Sequence, residues 1–251
     1  TLIEKKKQVK QQQRLMNEKL ASVKNEIAEN NKHHDKARAQ HVDMERKLGQ
    51  LEPLADGGII GDGRSDYTLD SQRYLMDANN HKFALLDVPG IEGKEEKVSE
   101  SIWQAVQKAH AVFYVTAKAT APQTGDDKNK GTLEKIKEHL GDQTEVWSIY
   151  NKRINNPMHL KKPNLLNQGE VESLKTLDMK MHEQLGENYQ GSLSVCGLVG
   201  FLAAADCLVP GQMNSSRKDK FLAGYDEDHL LNYSGMRDLK RLLSVDFVKD
   251  Y

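Results

Sequence analysis

Cysteine is almost absent from this chain. Two of its 251 residues are cysteines, Cys196 and Cys207, in one apolar stretch without metal-ligating neighbours. That excludes a disulfide framework and a thiol zinc site, and predicts core residues of a reduced, cytoplasmic protein. Long apolar runs are missing too: Val195–Val209 comes nearest, but Asp206 interrupts it and it falls short of the ~18 residues of a bilayer span. No signal peptide is recognisable. The first residue is Thr1 rather than Met, so the true start is expected upstream. A net charge of −1 gives no general attraction to nucleic acid, and no nucleic-acid partner is expected.

Proline is missing from the first fifty residues, and their single glycine is Gly49. This stretch holds 12 Lys/Arg and 7 Asp/Glu, a net +5, which leaves −6 for the rest. The shift predicts a boundary near Gly49, with residues 1–50 as a helical neck and 51–251 as an α/β domain. Counting in sevens from Leu2 reaches Val9, Met16, Val23, Asn30, Ala37, Met44 and Leu51, apolar at seven of eight places. The series four residues on, Lys6 to Leu48, is apolar at three of seven. A 3.5-residue period with a polar middle predicts one long helix whose seam needs helical partners, from the same protein or another subunit. His34 and His41 share that seam beside His33. Without a carboxylate or thiol at ligand spacing they read as a polar layer rather than a metal site. The interleaved basic residues read as a solvated face.

Beyond residue 72 strand and helix patterns alternate. Arg73–Met76 and Lys82–Leu86 flank the turn Asp77–Asn80 and predict a hairpin. Helices are expected over Glu95–Ala109, Thr132–Leu140, Val171–Leu185, Val199–Cys207 and Asp228–Val248. Buried strands are expected at Ala111–Val115 and Glu145–Tyr150, and a last strand at Ser192–Cys196. Residues 209–225 read as an exposed insertion. The alternation predicts an α/β fold with a doubly wound, mostly parallel sheet.

Three strand endings could carry chemistry. Phe83–Leu86 is an apolar run that closes on Asp87-Val88-Pro89-Gly90. It predicts a buried strand with a carboxylate at the rim of the sheet, where open α/β sheets bind ligands. Gly90 would free a backbone N–H for an anion. The second ending is Asn151-Lys152, after Glu145–Tyr150. The third is Val195-Cys196-Gly197. Upstream, Gly57–Thr68 is rich in glycine but lacks the Gly-Lys-Ser/Thr ending and follows no strand, so it satisfies neither phosphate-loop nor dinucleotide fingerprint.

Gly-Asp-Gly-Arg-Ser-Asp-Tyr-Thr (61–68), Leu-Leu-Asp-Val-Pro-Gly-Ile-Glu-Gly (85–93) and Ile-Tyr-Asn-Lys (149–152) together resemble bacterial dynamin-like GTPases, nearest the branch linked to labile-enterotoxin output. The resemblance covers about residues 52–248, and the leading helix is similar to the bundle helix before such a domain. It implies a P-loop GTPase fold that binds GTP or GDP with Mg²⁺ and hydrolyses GTP. Asp87 would hold the metal through water and Gly90 would sense the γ-phosphate. Thr68 would ligate Mg²⁺ through its hydroxyl, with Arg64 as a charge stabiliser. Asn151 and Lys152 would line the base pocket, and the Cys196 backbone would meet the guanine oxygen. Ordering of the switch loops would couple to the helical bundle in membrane remodelling or vesicle-linked secretion, a role tied to virulence. The location implied is the cytoplasm, with peripheral contact at the inner face of the membrane.

The sequence departs from that family twice. Ile154 stands where the base-reading Asp belongs. The loop Gly-x-x-x-x-Gly-Lys-Ser/Thr, which holds the phosphates, occurs nowhere; its place would be between Leu48 and Ala55. A spatial break is therefore expected there, with strands arranged as though a central one were absent. A nucleotide-free interaction module is the alternative function.

Overall fold

The computed structural model describes residues 2–57, 72–78, 81–88, 103–120, 122, 125, 131–141 and 143–246. The chain divides into two compact units, residues 1–58 and 59–251.

The first unit is one helix, α1, over Leu2–Leu51, closed by a short 3₁₀ turn at Glu52–Leu54. Fifty residues at ~1.5 Å each make it ~75 Å long. No break falls between Leu48 and Ala55, contrary to expectation. The Lys-Leu-Gly-Gln-Leu segment continues the helix, which tolerates a single glycine at a cost of ~1 kcal/mol. Pro53 then sits in the first turn of the 3₁₀ segment, where its missing N–H costs nothing.

In the second unit, β1 (Gln72–Ala78) and β2 (His81–Asp87) form an antiparallel hairpin, with Gln72 opposite Asp87. A three-stranded parallel sheet follows, built from β3 (Ala111–Thr116), β4 (Glu145–Asn151) and β5 (Tyr189–Val195) in that order. The fold is thus mixed α/β, as the alternation predicts. The hairpin is a sheet of its own. The buried strand expected at Phe83–Leu86 is instead largely exposed, with Leu85 and Leu86 at 38% and 40%. Among the described residues the two-stranded ribbon has no third strand or covering helix to bury both its faces. For the same reason β3, at the edge of its sheet, leaves Val115 exposed rather than fully buried.

Residues 103–108 form α2, the described part of the helix expected over Glu95–Ala109. The crossovers α3 (Thr132–His139) and α4 (Gln168–Leu185) run within a residue or three of the expected bounds. Leu133 and Ile136 of α3 and Leu174, Leu177 and Met181 of α4 pack with Val146 and Tyr150 of β4 in one core. Both crossovers therefore cover one face of the sheet. A second core lies just past the carboxyl ends of β4 and β5, where Ile154 and Cys196 meet α5 (Gly197–Ala204), α6 (Met213–Leu222) and α7 (Glu227–Tyr233).

Three expectations fail in this carboxyl-terminal half. Residues 209–225 are not an exposed insertion: α6 sends Phe221 into the second core, 1% exposed. The closing helix is not continuous: α7 stops at Tyr233, α8 covers Met236–Arg241, and a π turn follows at Leu242–Asp246. Gly235 makes the break. Its φ of +70° suits glycine, and a Cβ there would lie 2.3 Å from the Ser194 carbonyl oxygen, so α7 and α8 meet β5 at van der Waals range. Of the two cysteines, only Cys196 is a core residue; Cys207 is exposed.

Phe221→Ala should cost about 3–5 kcal/mol in urea denaturation, as for a buried aromatic. A surface insertion would lose under ~0.5 kcal/mol.

Candidate functional site

The carboxyl ends of β4 and β5 lie side by side because the two strands are parallel and in register through Asn151 and Val195. The ladder continues one step, with the Lys152 N–H donating to the Val195 carbonyl at 2.7 Å. Asn151 then bridges sideways: its Oδ1 accepts the Gly197 N–H at 3.0 Å. That amide belongs to the first turn of α5, where N–H groups have no partner inside the helix. The Cys196 N–H donates to the Ser234 carbonyl at 2.8 Å. Both amides at the β5–α5 junction are therefore occupied from within the chain. Burial pushes the Cys196 thiol up, against weaker opposing backbone hydrogen bonds.

Lys152 turns away from the strand ends toward α4. Its ammonium donates to Glu170 Oε2 at 2.6 Å and to the Leu165 carbonyl at 2.9 Å. The two side chains are 16% and 19% exposed, so the pair is shielded and charge-assisted. Glu170 serves more than the lysine. It closes the capping box of α4, accepting the Asn167 N–H while Asn167 Oδ1 accepts the Glu170 N–H. It also accepts the Tyr150 hydroxyl at 3.1 Å. Burial raises the Glu170 pKa, but Lys152, the Asn167 N–H and Tyr150 outweigh it and hold the carboxyl below the ordinary range. The same pairing, after burial, pushes Tyr150 up to about 12.

One carboxylate thus ties the end of β4, the loop before α4 and the start of α4 together. The Asn-x-x-Glu spacing of 167–170 is a readable capping signal. Its partnership with Lys152 is not readable, because it depends on how the loop between them returns to the sheet.

Of the residues singled out from sequence, the structure brings together Asn151, Lys152 and Cys196. Ile154 is 1% exposed in the second core, beside Leu160 and Cys196. Asp87 is exposed at the end of β2; it closes a separate hairpin, not the rim of the parallel sheet. Thr68, Arg64 and Gly90 lie outside the described residues.

A nucleotide and its metal are matched only in part. Asn151 is held as a strut at the strand ends, which suits a base pocket. Lys152 is spent on Glu170, and the carboxylate that would read the base is replaced by a buried isoleucine. Among the described residues no group of three His, Cys, Asp or Glu stands ready to hold a metal ion. A groove of ~580 Å³ between α4 and β5 is lined by Asp178, His182, Tyr189 and Gly191. It sits at the start of β5, about 20 Å from the strand ends at 3.3 Å per residue. Tyr189 donates there to Asp178 and bonds Ser148, which satisfies the buried polar groups.

Residues 60–152 match the family model described as a 50S ribosome-binding GTPase. The match supports a P-loop GTPase relationship and GTP binding in general; it takes in Asp87 and ends on Lys152. No curated protein and no solved structure matches the chain.

Glu170→Gln should cost about 2 kcal/mol at pH 7, because it leaves the Lys152 ammonium shielded and unpaired. The sign of the pH dependence follows from the lowered carboxyl. Its contribution is present above the ordinary glutamate value of 4.5 and fades as pH falls through the depressed one. Chemical denaturation from pH 7 to pH 3 should show the gap between wild type and variant closing below about pH 4.5.

Proposed function

We propose that the protein is a GTPase-type nucleotide-binding protein of the dynamin-like kind, whose base pocket lies at the carboxyl ends of β4 and β5. The observation that carries this reading is the Asn151 clamp on Gly197 at that rim, within and beside the span that matches a GTPase family. Asn151 would brace the base. Lys152 would face it only after leaving Glu170, and the Cys196 amide would reach it only after leaving Ser234. Asp87, Gly90 and Thr68 would serve the phosphates and Mg²⁺, with Arg64 beside them; bound Mg²⁺ would neutralise the charge of the phosphates. Hydrolysis needs a phosphate cradle, and this sequence supplies none. The separation of the described strands into two sheets is what the want of a central strand, expected in the chain between α1 and the switch residues, would leave.

In this reading, ordering of the switch residues would be passed to α1 and its helical partners in membrane remodelling or vesicle-linked secretion, as in the branch linked to enterotoxin output. The protein would work in the cytoplasm, with peripheral contact at the membrane. Among the described residues no helix is long and apolar enough to cross a membrane.

A second reading, a nucleotide-free interaction module, is favoured by the Lys152–Glu170 pair and the burial of Ile154. Thermal denaturation with 1 mM GTP, GDP or ATP, each with Mg²⁺, separates the two. Under the first reading Tm rises by about 2 °C or more with guanine nucleotides, and Asn151→Ala abolishes the shift. No shift with any nucleotide selects the module.

A further inference from the structure

The stripe of α1 is uncovered: Leu20, Val23, Ile27, Met44, Leu48 and Leu51 are each about half exposed. We propose that α1 pairs with α1 of a second copy, antiparallel, over residues 20–51. This inference stands apart from the nucleotide reading.

The sequence of the stripe selects the partner. Its two ends are apolar and its middle is polar, at Asn30, His34 and His41, so the stripe is nearly its own reverse complement. With Leu20 opposite Leu51 of the second copy, Val23 meets Leu48 and Ile27 meets Met44. In the middle Asn30 meets His41, and His34 meets Ala37. Apolar layers then fall on apolar ones and polar side chains find polar or small neighbours, as a coiled-coil seam requires.

The flanking charges agree. In this alignment Glu26 lies beside Lys47 of the second copy, and Lys24 beside its Glu45. Two-fold symmetry repeats each pair, which makes four attractive pairs and no facing like charges. A parallel, in-register pair would set Lys19 against Lys24 and His33 against Arg38, and would stack Asn30, His34 and His41 on themselves; only Lys47 would gain, from Glu52. Sliding the antiparallel pair by one heptad toward the amino end would put Lys19 against Lys47 and Lys24 against Arg38. Lys47 and Glu45 now hold Asp43 at 2.7 Å and His41 at 3.6 Å within the helix. Exposed pairs of that kind are worth little and are free to exchange.

The test uses the full chain with Cys207→Ser, which removes the exposed thiol. Sedimentation across about 1–50 µM should show a concentration-dependent dimer. Oxidised Leu20→Cys plus Leu51→Cys should run as a cross-linked dimer, and Leu20→Cys alone as a monomer. Glu26→Lys with Glu45→Lys should raise the dimer Kd about tenfold or more, and adding Lys24→Glu with Lys47→Glu should restore it. These positions are exposed, so the variants keep the fold. A monomer at every concentration overturns the proposal. So does cross-linking by Leu20→Cys alone, which reports a parallel pair, or a Kd that ignores the charge reversals.

Discussion

Strand β4 is the one described strand with hydrogen-bonded neighbours on both sides, and the second unit is organised around it. A parallel strand so placed must have its faces covered and its polar groups satisfied. On the face under α3 and α4 the structure meets both demands. Val146 and Tyr150 enter the core under α3 and α4, and the buried Ser148 hydroxyl finds Tyr189. At the carboxyl end, where the ladder stops, Asn151 and Lys152 take over from backbone pairing. One binds the start of α5 and the other binds the start of α4 through Glu170. The rim is therefore both the support of two helix starts and the place where a ligand would sit.

Those two roles compete. A shielded, charge-assisted hydrogen bond contributes ~1.5–3 kcal/mol, and Lys152 makes one with Glu170 while also donating to a carbonyl. Any ligand that recruits the ammonium must return at least that much, and must leave Glu170 satisfied by Tyr150 and the Asn167 N–H. Asn151 is differently placed. Its oxygen is used, but the bond it makes fixes the rim and its removal would loosen the ligand site and the β5–α5 junction together. A nucleotide would thus find the rim organised but the lysine withheld, so binding and rearrangement of the α4 start would be linked.

The crossover half of the fold was legible because its signals are local. Apolar runs of strand length alternate with helical periods that end on Gly141 or Gly186, and this gives β3, α3, β4, α4 and β5 within a few residues. The 3.5-residue repeat likewise reads out α1 without help from packing. The carboxyl-terminal helices were not legible. Met213–Leu222 is mostly polar, and one phenylalanine in ten residues gives no periodicity to mark a buried face. In 228–248 the apolar spacing continues across Gly235, whose break comes from the Ser194 carbonyl on another element. Asp87 shows a third kind of limit. The run Phe-Ala-Leu-Leu states that a strand wants burial, but the neighbours that would bury it are set elsewhere in the chain.

The site residues follow the same division. Asn151 and Lys152 could be found because they end a clear strand. Glu170 could be found only as a helix cap, and its more consequential role, neutralising Lys152, is a property of the loop between them. Ile154 carries both kinds of information. Its position made it conspicuous, since an apolar side chain stands where the resemblance wants an acid. Its surroundings explain why an acid is not tolerated there: with Leu160, Cys196, Val199 and Leu202 about it, an ionised carboxylate would need a partner that this core does not provide. The second core is therefore the physical reason the rim departs from the guanine-reading pattern, because its apolar packing reaches up to the point where base selectivity would begin.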